Sequence, residues 1–443
     1  MNEPARRSTR RRTATGRLAR VGAAAFLVAG GLAVFGGHRA AVAAGGPGGE
    51  FFPVTPKRVL DTRIGLGAPQ AFLDNAQTID VKVTGFADIG VPDTGVLAVA
   101  LNVTVTNTRV GGFVTVFPAG SGRPLASNLN VAFGGQTTAN LVVVGVGAGG
   151  KVSVYTKSGT DVVFDIVGWY ASDSAGVGAG QGSRLEPVAP QRILDSRAGA
   201  GNVAQLRAGT VTHVPVAGRI TDRSGSVVNT VTGVVFNLTG VNGGGNGFVT
   251  AYPSGEGRPG SSNLNMTPGI IKPNLVMVKV GSDGAFDLYN QAPTDLIVDV
   301  VGYYHNGVDA GTFRGRVVPL SSPYRAFDTR NSGTRIGPDQ IDTWDFTPMI
   351  NSLQAGGAPA GNIAGIIANL TATQETADGY FTAYPADVGR PVASNLNLTR
   401  NTDLANLAVV SLSGGSAPNH LTTYNQSGFV HYLADVSAVV LAD

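Results

Sequence analysis

The sequence predicts an all-β protein: an export signal followed by three tandem β-sandwich, jelly-roll-like units. Three observations predict it. One set of short boxes recurs three times in register, at spacings of 134 and 133 residues. Apolar residues alternate with period two between clusters of Gly, Pro, Asn and Asp, the pattern of half-buried strands separated by turns. No helical stripe with caps follows residue 51. The competing arrangement is one closed pseudo-threefold β assembly, a barrel or propeller. The Gly- and Ser-rich segments between copies favour separate beads.

The chain opens on a basic segment, Arg6, Arg7, Arg10, Arg11, Arg12, Arg17 and Arg20, followed by an apolar stretch from Val21 to Phe35. Ala41-Val42-Ala43 then forms an A-x-A-like cleavage site, so residues 1–43 read as a signal peptide and the protein as secreted, by the general or the twin-arginine route. Residues 1–44 hold eight arginines and one acid. Beyond them stand 24 basic and 28 acidic residues, a net of −4, so the chain's formal +3 implies no nucleic-acid partner. There are no cysteines, which excludes disulfides and thiolate chemistry. No later apolar run is long enough to span a membrane as a helix.

Val59-Leu60-Asp61-Thr62-Arg63 returns as Ile193-Leu194-Asp195-Ser196-Arg197 and as Ala326-Phe327-Asp328-Thr329-Arg330. An Asn-x-Thr box follows at Asn102, Asn237 and Asn369. Twenty-five residues after each comes Ser-Asn-Leu-Asn, from Ser127, Ser262 and Ser394, with Arg-Pro four residues before it at Arg123, Arg258 and Arg390. Asn-Leu returns at Asn140, Asn274 and Asn406. The first two copies end on Asp165-Ile-Val-Gly-Trp169-Tyr170 and Asp299-Val-Val-Gly-Tyr303-Tyr304, and the third decays to Asp435-Val-Ser-Ala-Val-Val440. The predicted organisation is a signal at 1–43, a linker at 44–50, repeats at 51–171, 185–305 and 317–443, and linkers at 172–184 and 306–316. About eight short strands fall in each repeat. In the first they include 77–84, 99–105, 113–117, 140–146, 151–155 and 162–170.

These ordered boxes resemble a tandem β repeat of exported actinobacterial proteins, found alone or beside secreted hydrolase domains. The likeness spans nearly all of residues 51–443 and departs only at the end of the third copy. It implies a surface or accessory role, without catalytic residues or a cofactor.

His213, His305, His420 and His431 share no repeat position, so a histidine-based triad or metal site would belong to one copy alone. Asp61 with Arg63, Asp195 with Arg197 and Asp328 with Arg330 stand two residues apart, on one face of a strand. They read as structural polar ties with buried guanidinium groups, ahead of an anion or glycan site. Asn102, Asn128, Asn130 and Asn140 read as partners for open backbone groups. A calcium site at Asp61 or Asp165 lacks an acidic loop of ligand spacing, and no metal is expected. Phe117 with Arg123, Tyr252 with Arg258 and Tyr384 with Arg390 are the candidate ligand-binding residues, since an aromatic face beside a guanidinium suits a sugar ring. The expected function is a non-enzymatic surface or adhesive repeat protein that binds cell-wall or other glycan multivalently. The alternative is a secreted hydrolase using carboxylates such as Asp165 and Asp299.

Overall fold

The structure, a computed structural model, describes Met1, Gly176 and residues 48–172, 180–201, 204–306, 311–355 and 362–442. Apart from Met1, the expected signal peptide lies outside the described residues, as do parts of all three linkers.

Each copy folds into eight strands. The first holds β1 (Glu50–Asp61), β2 (Gln77–Lys82), β3 (Val96–Thr106), β4 (Gly112–Pro118), β5 (Leu129–Val131), β6 (Thr138–Gly145), β7 (Lys151–Thr156) and β8 (Asp161–Ala171). The second holds β9 (Arg184–Asp195), β10 (Thr210–Pro215), β11 (Gly233–Val241), β12 (Gly247–Pro253), β13 (Leu264–Met266), β14 (Lys272–Lys279), β15 (Ala285–Asn290) and β16 (Asp295–His305). The third holds β17 (Val317–Asp328), β18 (Ile341–Asp345), β19 (Ile363–Thr373), β20 (Gly379–Pro385), β21 (Leu396–Leu398), β22 (Leu404–Ser411), β23 (His420–Asn425) and β24 (His431–Leu441). The third also carries a helix the sequence reading did not expect, α1 (Thr347–Ala355). Asp345 accepts the Thr347 backbone N–H at its start, and Met349, Ile350 and Leu353 face the core. Nine residues is too short for a helical period to stand out.

The strands form six antiparallel four-stranded sheets, two per repeat. In the first repeat these are β1-β8-β3-β6, here called the inner sheet, and β2-β7-β4-β5, the outer sheet. The other repeats copy this order. The six sheets stand in a ring as a six-bladed β-propeller, which overturns the expectation of three β-sandwich units. Each outer sheet meets the inner sheet of another repeat: β5 lies against β22, β21 against β14 and β13 against β6.

Packing explains why separate beads are not the answer. Within each repeat the two sheets bury one apolar cluster. The opposite faces of the inner sheets are apolar too, and must be covered. They cover each other: Ala98, Ala100, Leu141, Val143, Val235, Leu275, Ile367 and Leu407 share a fourth cluster drawn from all three copies. A strand with both faces buried reads as a near-continuous apolar run, as Val96–Val105 does.

The fourth cluster also accounts for the decay of the third copy. Tyr170 and Tyr304 meet there, hydroxyl to hydroxyl at 2.9 Å, and Phe51 stacks on Tyr304 at 4.3 Å. Val440 takes the third equivalent place and Val317 takes the place of Phe51. A Cβ on Gly168 would lie 2.2 Å from the Phe51 ring, so that box needs glycine. Ala438 occurs at the matching position, in the cluster where the smaller Val317 stands in place of Phe51. Among the described residues, no helix is long and apolar enough to cross a membrane.

Candidate functional site

The Asp-x-Arg box forms the centre of a four-group ion-pair knot at the end of each inner sheet. Asp61 ends β1, and its carboxylate accepts the Arg63 backbone N–H at 3.2 Å, closing a local turn. The same carboxylate accepts Arg63 Nε at 2.8 Å and Nη2 at 2.6 Å. A bulge in β1 sets Arg58 opposite Asp165 on β8. Arg58 then donates to both Asp165 oxygens, at 3.0 and 3.3 Å, and to Asp61 at 3.4 Å. Arg192, Asp195, Arg197 and Asp299 repeat the knot, as do Arg325, Asp328, Arg330 and Asp435.

The carboxylates are buried, but the box arginines are not: the side chains of Arg63, Arg197 and Arg330 are 42, 42 and 43% exposed. The expectation of buried guanidinium groups is corrected accordingly. The sequence reading also missed the second arginine. Its signal was present, as an arginine three residues before each box aspartate. The bond from Arg63 holds the Asp61 carboxyl below its usual range, and Arg197 does the same for Asp195. Burial pushes Asp165 and Asp299 up in spite of Arg58 and Arg192.

The repeated asparagines tie one copy to the next. Asn102 donates to the Ser262 carbonyl at 2.7 Å, Asn237 to Ser394 at 2.6 Å and Asn369 to Ser127 at 2.6 Å. Asn274 donates to Asn102, Asn406 to Asn237 and Asn140 to Asn369, at 3.1, 2.9 and 3.0 Å. Each Asn-Leu asparagine also accepts a backbone N–H from a neighbouring copy: Leu141 gives to Asn274, Leu275 to Asn406 and Leu407 to Asn140. The three links close a circle. Within each copy, Asn128, Asn263 and Asn395 accept the N–H of Val116, Ala251 and Ala383, pinning the loop after Arg-Pro onto the outer sheet.

Phe117, Tyr252 and Tyr384 are 5, 4 and 4% exposed and offer no ring face. The arginines predicted beside them lie elsewhere. Arg123 sits over Tyr155 at 4.2 Å, Arg258 over Tyr289 at 3.9 Å and Arg390 over Tyr424 at 3.9 Å. Phe113, Phe248 and Tyr380 adjoin those tyrosines at 5.8, 5.9 and 5.9 Å. The first two repeats thus present two adjoining, half-buried aromatic rings with a guanidinium on one of them, whereas in the third Tyr424 is 4% exposed and only Tyr380 is half-buried. The first ring stands ten residues before each Arg-Pro arginine. The tyrosine follows at 32, 31 and 34 residues, an uneven spacing that hid it.

A cleft of about 570 Å³ opens where the outer sheet of the first repeat meets the knot of the third. Phe113, Asn130 and Lys157 line one side, and Arg325, Arg330, Asp403 and Asp435 the other. Among the described residues, no group of three or more His, Cys, Asp or Glu side chains is placed to hold a metal ion.

Neither a protein-family model nor a curated protein sequence matches the chain. Among solved structures, the N-terminal CBM22-1-CBM22-2 tandem domain from Paenibacillus barcinonensis Xyn10C is similar over 56% of this chain and 97% of that one. Identity is 12% and the TM-score 0.18, too low to carry an argument about fold or ligand.

Proposed function

We propose that this chain is an exported, non-catalytic surface protein that binds cell-wall or other glycans weakly and gains avidity from repetition. One observation carries the reading. The guanidinium-on-aromatic cluster occurs once per repeat, at Arg123, Arg258 and Arg390. Aromatic rings offer a sugar its apolar face, and a guanidinium offers hydrogen bonds to its hydroxyls. Three linked sites raise the apparent affinity well above that of one. The resemblance of the boxes to repeats of exported actinobacterial proteins supports a secreted placement. The non-catalytic reading is supported by Asp165 and Asp299, the carboxylates a hydrolase would use, since Arg58 and Arg192 each grip both oxygens of one.

The test is retention of the full chain on purified cell-wall polysaccharide. Arg123→Ala, Arg258→Ala and Arg390→Ala should each lower retention, and the triple variant should abolish it. Equal retention of the triple variant and the wild type, or no retention of the wild type on any wall fraction, overturns the proposal.

A further inference from the structure

We infer that the cleft between the first and third repeats is a binding site for an acidic, carboxylate-bearing saccharide. The inference rests on the glycan reading above and names a ligand class for a cleft that shares Phe113 with the first aromatic cluster.

The argument starts from which polar groups are already spent. Arg325 gives Nε and Nη2 to Asp435 and Nη1 to Asp328, so its charge is committed to the knot. Arg330 gives Nε and Nη2 to Asp328. Its Nη1 makes no hydrogen bond among the described residues, and the side chain stays 43% exposed. Lys157 makes no ion pair among them; its ammonium lies 5.8 Å from the Phe113 ring. Asn130 accepts from Ser127 and keeps its amide donors. Asp403 accepts from Thr373 through one oxygen and keeps the other. The cleft therefore offers two cationic donors, one neutral donor, one acceptor and one aromatic ring. A carboxylate satisfies the cationic donors, a ring hydroxyl the aspartate, and the apolar face of a sugar the phenylalanine.

The pseudo-symmetry shows how the matching place between the first two repeats is closed. At the matching place between the first two repeats, Arg58 Nη2 donates to the Gly260 carbonyl at 3.2 Å and Thr55 donates to Glu256 at 2.7 Å, so the two sides are bridged. Leu125 replaces Gly260 in the open cleft, and its side chain points to solvent with no bond from Arg325 to its backbone. Thr55 has no counterpart bridge there among the described residues. Space remains where the second copy's loop would have closed it.

Calorimetric titration of the full chain with a galacturonate oligosaccharide, against the galactose oligosaccharide of equal length, tests the inference. The acidic ligand should bind at least about tenfold more tightly, and its affinity should fall as salt screens the charges. Lys157→Ala and Asn130→Ala, both at partly or fully exposed positions, should each weaken it several-fold without moving the unfolding midpoint. Arg258→Ala, in a different repeat, should leave it unchanged. Equal affinity for the acidic and neutral ligands, or a Lys157→Ala variant that binds as the wild type does, overturns the inference. Either result leaves wall binding through Arg123, Arg258 and Arg390 to stand or fall on its own assay. Conversely, Lys157-dependent uronate binding without retention on wall polysaccharide would sink the wall reading and keep the cleft.

Discussion

Asn274→Ala should unlock the circle of asparagines. The Asn274 side chain is fully buried and makes three bonds. It donates to the Asn263 carbonyl at 2.5 Å and to Asn102 Oδ1 at 3.1 Å, and it accepts the Leu141 N–H at 3.1 Å. Alanine leaves three polar groups without that partner in a buried interior. Leaving a buried group unsatisfied costs about 1–3 kcal/mol, so the loss should reach about 3–5 kcal/mol once some relaxation is allowed. Urea unfolding followed by tryptophan emission is the informative assay, because both tryptophans lie outside the mutated repeat: Trp169 in the first and Trp344 in the third. Two of the three bonds reach the first repeat, so the emission midpoint should fall. Asn265→Ala is the control, as Asn265 bonds only to Ser262 within its own loop, and it should cost less than about 1 kcal/mol. An Asn274→Ala emission transition that coincides with the wild type would refute the idea that these asparagines clasp one repeat to another.

Four further outcomes follow from the same geometry. Arg192→Ala should destabilise by about 3–5 kcal/mol, since it strips the buried Asp299 of its partner, whereas Arg197→Ala should cost less because Asp195 keeps Arg192; thermal unfolding of the two variants ranks them. Burial raises the Glu375 carboxyl to about 7, above its unfolded value, so its contribution is fully present below about pH 4.5 and is lost as pH rises through about 7; Glu375→Gln should flatten that slope in pH-dependent unfolding and stabilise the chain at pH 8. Val440→Tyr would place a third tyrosine beside Tyr170, Tyr304 and Phe51, and overpacking should cost about 1–3 kcal/mol, read as a lower melting temperature. Chain recovered from culture medium should begin after Ala43 or Ala44 by N-terminal sequencing, and a chain still starting at Met1 would contradict export by cleavage.

The strands were legible because their signal is local. Val99, Leu101, Val103 and Val105 alternate with smaller or polar residues, and β3 covers them. β5 was missed because three residues carry no period, and α1 because its stripe is two turns long. The site was legible only in part. Arg123, Arg258 and Arg390 do lie against aromatic rings, but the rings come from β7, β15 and β23 rather than from the neighbouring residues in sequence. Phe117, Tyr252 and Tyr384 are near those arginines along the chain, six residues before each. The folded-back loop after Arg-Pro, held by Thr115 Oγ1 donating to the Ala126 carbonyl, belongs to the same outer sheets in which they are buried.

By itself the sequence determined the threefold repetition, the β character of each copy, and the residues the copies share. It could not say whom those residues bind. Asn102 and Ser127 recur 25 residues apart within one copy, yet Asn102 bonds to Ser262 of the second copy and Ser127 accepts from Asn369 of the third. A repeat that bonds within itself and one that bonds to its neighbour have the same register, so spacing cannot separate them. Only the tertiary structure decided that the copies close into one ring. The physical reason is that the inner sheets are apolar on both faces and carry asparagines whose partners lie across the repeat boundary, so closure buries those faces and satisfies those groups, and a string of separate units does neither.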